Sequence, residues 1–173
     1  MNSLSVSAPY PDQPHYAWLQ DQISEARKVG DKVAFAMLFE DGLPYWKTRN
    51  EAWHSILHHY QGNLIGAELG DAKLSRFAAI LEDPSEPGRF RAQQFDANGF
   101  SGHMTRDTPL EVLDELVKDG YLEPAPGMMA QLSQTREWAL GSLMTNLIAQ
   151  VNAGLLGYSD LQDKMAEAHA ALH

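Results

Sequence analysis

The chain predicts an α+β fold: an antiparallel sheet built from two ββα-like units, covered by helices on one face, with a C-terminal helical hairpin. Three stretches carry that reading. Arg89 to Tyr121 combines strand, turn and helix signals, Lys32 to Tyr60 echoes their order, and residues 134–172 hold apolar stripes at helical spacing. With 173 residues and 44% apolar composition, the chain is long enough to bury one core. The expected division is a loose Ser- and Pro-rich arm over residues 1–14, then a single domain over 15–173.

From about Tyr16 to Val29, Tyr16, Leu19, Ile23 and Ala26 form a helical stripe, with Trp18 on the far side. A Trp there is either a contact point or a residue covered by the arm, and the second is the ordinary case. Lys32 to Phe39 is a nearly continuous apolar run and reads as an inner strand. Glu40-Asp41-Gly42 is then a turn and Leu43–Lys47 an edge strand, since Pro44 disfavours a central one. Thr48 or Asn50 caps a helix to about Tyr60, whose inner side carries Trp53, Ile56, Leu57 and Tyr60. Gln61 to Gly70 reads as a loop or a short strand. A strand is expected from Phe77 to Glu82, leading into the turn Asp83–Gly88.

The clearest unit follows. Arg89–Phe95 and Phe100–Thr105 are the arms of a hairpin around Asn98-Gly99, and Gly102 marks a bulge or a close backbone approach. Thr108, Pro109 and Glu111 spell a capping box with proline at the first helical position. Leu110, Leu113, Leu116 and Val117 then share one helical face, and Gly120 ends the helix. Aligning Gly42 with Gly99 also aligns Thr48 with Thr105, Arg49 with Arg106 and Trp53 with Leu110. Either a duplicated ββα unit (32–60 and 89–121) or shared capping chemistry would produce that echo.

After a linker at Leu122–Gly127, Met128–Leu132 reads as a turn or two of helix. A long helix over 134–152 carries a wide apolar arc that includes Leu143, Leu147 and Val151. Ser159 caps a last helix to 172, striped by Leu161, Met165, Ala168 and Leu172. A helical hairpin of this kind is packed across the sheet or shared with a second copy.

The formal charge of −10 disfavours a sequence-independent grip on nucleic acid or an anionic membrane. No cysteine is present, which excludes disulfides and thiolate chemistry and suits a reducing compartment. The opening MNSLSVSAPYPDQP lacks the charged and apolar regions of a signal peptide, and no stretch approaches a membrane span, so the cytoplasm is expected.

Glu51, His54 and His58 lie on one helix side at metal-ligand spacing, although a solvated polar face gives the same pattern. His103, Arg106 and Asp107, beside Phe100, could combine a base with an anion clamp, but such groups are more often strand-surface and helix-start charges. No phosphate loop, dinucleotide fingerprint or nucleophile elbow occurs, so no cofactor is implied.

Arg76, Arg89, Arg91 and Arg106, interleaved with Phe77, Phe90 and Phe100, could form a small positive sheet face. Over roughly Asn50 to Tyr121, the order helix, three strands, helix is similar to the double-stranded-RNA-binding domain, which implies nucleic-acid binding as an alternative function. That module's basic cluster at the start of its last helix has no counterpart, because Glu111, Asp114 and Glu115 stand there.

The leading expectation is a non-catalytic protein that binds another protein, or a second copy of itself. Its interface would include Leu143, Leu147, Val151 and Trp18. By class analogy alone, small acidic proteins of this kind include inhibitors encoded by phages and plasmids.

Overall fold

The structure, a computed structural model, describes residues 6–71 and 73–171. The expected loose arm before Val6, and Leu172 of the last stripe, lie outside the described residues.

α1 (Gln13–Val29) buries Leu19, Ile23 and Ala26, the stripe read from the sequence. Gly30 ends it with a left-handed φ of 72°, and Asp31 at once starts the next helix. The Asp31 carboxylate accepts from the Val33 and Ala34 amides, which is the usual work of an N-cap.

α2 (Lys32–Ala36) runs through a π-helical segment (Met37–Gly42) into α3 (Leu43–His59). This corrects the first hairpin of the sequence reading: Lys32–Lys47 is helical, and the echo with 89–121 is no duplicated ββα unit. An apolar run of that length is compatible with strand or helix, and Ala34, Ala36, Met37 and Leu38 are good helix formers. The Leu43 amide bonds to the Leu38 carbonyl, one residue further back than in an α-helix. Such widening gives the Pro44 ring room where a tight turn would clash.

From Ala8 to Asp12 the segment before α1 is pinned rather than loose. Tyr10 is wholly buried, with its ring 6.0 Å from that of Trp46 and 5.6 Å from that of Trp53. The indole of Trp46 donates to the Asp12 carbonyl at 3.0 Å, and that of Trp53 to the Ala8 carbonyl at 2.9 Å. Buried indoles need acceptors, and the arm's backbone supplies them.

The sheet has five antiparallel strands in the order β4-β3-β2-β1-β5. They are β1 (Glu68–Asp71), β2 (Arg76–Glu82), β3 (Phe90–Asp96), β4 (Gly99–Arg106) and β5 (Glu123–Pro124), the last lying within the expected linker. α4 (Pro109–Lys118) follows β4 and opens with the capping box: Thr108 accepts from the Glu111 amide, and Glu111 reaches back to the Thr108 amide.

Helices cover both faces rather than one. Ala78, Ile80 and Ala92 join Trp53, Ile56 and Leu57 of α3 and Val112, Leu113, Leu116 and Val117 of α4 in the main core. The opposite face presents Phe77, Ala79, Leu81 and Phe95. There they meet Trp138 and the residues Met128, Met129 and Leu132 of α5 (Met128–Leu132). The chain ends in α6 (Arg136–Asn152) and α7 (Tyr158–Ala171). α7 begins one residue before Ser159, so Ser159 is not its cap.

Candidate protein interface

α6 is held to the sheet by its first turns. Thr135 caps it by accepting from the Trp138 amide at 3.2 Å. Trp138 then meets Phe95 and Phe100 edge-on, with ring centroids 5.8 and 5.1 Å away. That cluster depends on a bulge. Phe95 pairs with Phe100 while Gln94 pairs with Gly102, which leaves Ser101 as the extra residue and turns Phe100 towards α6.

The hairpin turn also touches α6. The positive φ of 103° falls on Gly99, and a Cβ added at Gly141 would sit 1.6 Å from the Asn98 carbonyl oxygen. Between the turn, α6 and Met165 of α7 lies a groove of about 480 Å³, walled by Phe100, Leu140 and Met144.

Beyond this base the two helices form an arm, with α6 packing on β4 and α7, and α7 packing on α6. Leu143 and Leu147 line the groove between them, opposite Lys164, Glu167 and Ala168. The expected interface residues therefore divide. Leu147 is only 4% exposed and belongs to the seam inside the arm, which corrects its assignment as a contact residue. Val151 is half-buried. Leu143 at 38%, Met144 at 40% and Ile148 at 43% remain open, as do Leu155 and Tyr158 at the arm's tip. No charged residue or histidine occurs from Trp138 to Ser159 in a chain of net charge −10. The periodicity singled out Leu143, but Met144 and Ile148 emerge as open contacts only once the partner helix is in place.

Trp18 lies far from being covered: it is 49% exposed and stacks on His15 at 5.3 Å. It sits on α1, whose neighbours are α2, α3 and the π-helical segment, so it does not extend the arm's apolar surface.

The arginines do not converge. Arg76 bonds Asp71 at 2.8 Å and lies over the Tyr121 ring. Arg89 pairs with Glu86 at 2.6 Å and Asp107 at 2.9 Å. Arg106 faces Glu115 of α4 at 3.6 Å. Strand register places Arg91 opposite Thr105 and Arg106 opposite Phe90, and the parity of those positions puts the two arginines on different faces. No common positive face forms from them.

The same parity separates His103 from Arg106, while Asp107 is held by Arg89. Glu51, His54 and His58 are exposed on α3, and among the described residues no three such groups are placed to hold a metal ion. Nor is any helix among them long and apolar enough to cross a membrane. The chain matches no family model, and no curated protein or solved structure matches it either.

Proposed function

We propose that this is a non-catalytic cytoplasmic binding protein of regulatory or inhibitory type, whose C-terminal arm packs against a helical partner, first of all the arm of a second copy. One observation carries the reading: a two-helix arm, tethered at its base, that leaves Leu143, Met144 and Ile148 open on α6, which carries no charge from Trp138 onward. Two helices alone bury little, and a pair of such hairpins completes a four-helix bundle. A twofold contact sets like surface against like. In a chain of −10, the uncharged face is where two copies approach with least repulsion.

Light scattering tests this. The wild-type chain is expected at twice the mass of one chain at micromolar concentrations, and Ile148→Lys is expected as a folded monomer. A wild-type monomer at about 100 μM, weaker than the affinities of stable complexes, would remove the second copy as partner.

A further inference from the structure

On the other side of the sheet from the arm, where α3 and α4 pack, is a niche of about 350 Å³ lined by Asp12, His15, Tyr45, Trp46, Arg49 and Lys118. We propose that it is a binding site for a small molecule carrying a carboxylate or phosphate on a flat apolar body. Its volume falls at the small end of the range for small-molecule sites.

The lining is a local reversal of charge. Arg49 and Lys118 outnumber Asp12 there, with His15 beside them, in a chain of net −10. Arg49 is already placed. Its guanidinium lies 3.6 Å from the Tyr45 ring centroid and donates to the Lys118 carbonyl. One N–H is used by that bond, and a guanidinium has five in a fixed fork that suits oxyanions. Lys118 is anchored on Asp114 Oδ2 at 2.6 Å and retains further ammonium protons. Tyr45 and Trp46 supply the aromatic walls.

A second observation is independent of the lining. The Tyr10 hydroxyl is buried with no hydrogen-bond partner, and so is Asp114 Oδ1. Such orphans are rare in folded proteins, because each costs its full desolvation. Burial, and then the Asp114 carboxylate, push the Tyr10 phenol up to about 12, with Arg49, Asp12 and Tyr45 the next charges acting on it. The Tyr10 ring backs the niche wall at Trp46, 6.0 Å away, so this strained polar group lies directly behind the lining.

The test is a titration of the full chain with benzoate, phenyl phosphate and inorganic phosphate. It follows the Trp46 indole proton, which is bonded to the Asp12 carbonyl in the niche wall. A saturable shift is expected with benzoate or phenyl phosphate, each tighter than inorganic phosphate, and preference between the first two identifies the head group. Arg49→Gln should weaken binding about tenfold or more, the loss of a charge-assisted bond. Lys118→Gln serves where Arg49→Gln does not fold. The absence of any saturable shift up to about 10 mM, a threshold near the weakest specific affinities, would overturn the proposal. So would binding unchanged in Arg49→Gln or Lys118→Gln.

Discussion

The Asn98 carbonyl at the tip of the β3–β4 hairpin occupies the space where residue 141 of α6 would carry a Cβ, 1.6 Å away. Glycine inside a helix costs about 0.5–1 kcal/mol relative to alanine, and at this position it lets α6 lie directly on the turn. Gly141→Ala should therefore destabilise, against the usual helix trend, by about 1–3 kcal/mol, the range for overpacking. It should also speed amide exchange along α6 and α7 more than in α3 or α4. Exchange unchanged in the arm would mean that the turn does not hold it.

Tyr10 lies in the segment with the least regular structure and yet is wholly buried between Trp46 and Trp53. Tyr10→Ala should cost about 3–5 kcal/mol in chemical denaturation, as large-to-small aromatic truncations in cores do. A loss below about 1 kcal/mol, the level of an ordinary surface change, would show that the arm's packing contributes little.

Asp83 closes the β2–β3 turn and reaches across to β4. Its carboxylate accepts from Ser85 Oγ at 2.6 Å, the Ser85 amide at 2.8 Å and Thr105 Oγ1 at 2.7 Å. These bonds, first that from the Ser85 hydroxyl and then that from Thr105, hold the carboxyl well below its usual range. The Arg76 guanidinium shifts Asp71 in the same downward direction. A depressed folded value makes the contribution full above the unfolded carboxylate value of about 3.9 and progressively lost as pH falls below it. Asp83→Asn should be less stable than wild type at pH 7, and the gap should narrow as unfolding is measured towards pH 2. A gap independent of pH would contradict the assignment.

Local chemistry made the second half of the fold legible. Thr108, Pro109 and Glu111 spell their cap within four residues, and Asn98-Gly99 marks its own turn. The first half was obscured by two residues with more than one meaning. The Met37 run suits strand or helix, and Pro44 looks like a breaker until a π-helical turn makes room for it. Tyr10 carries no local signal, because the groups that bury it are more than thirty residues away on α3. Arg76, Arg89, Arg91 and Arg106 look like one surface until strand parity divides them. At the interface, the apolar arc of α6 was visible. Which of its residues α7 would cover was not: Leu147 is sealed in the seam while Ile148 stays open.

The most direct measurement of the arm's role is photocrosslinking in the purified protein, with p-benzoylphenylalanine at position 148 and, as a control, at the exposed position 54 on α3. The account predicts a covalent species of twice the chain's mass from position 148, none from position 54, and loss of the first when Met144→Glu is added. No crosslink from position 148, or equal yield from both positions, would contradict it.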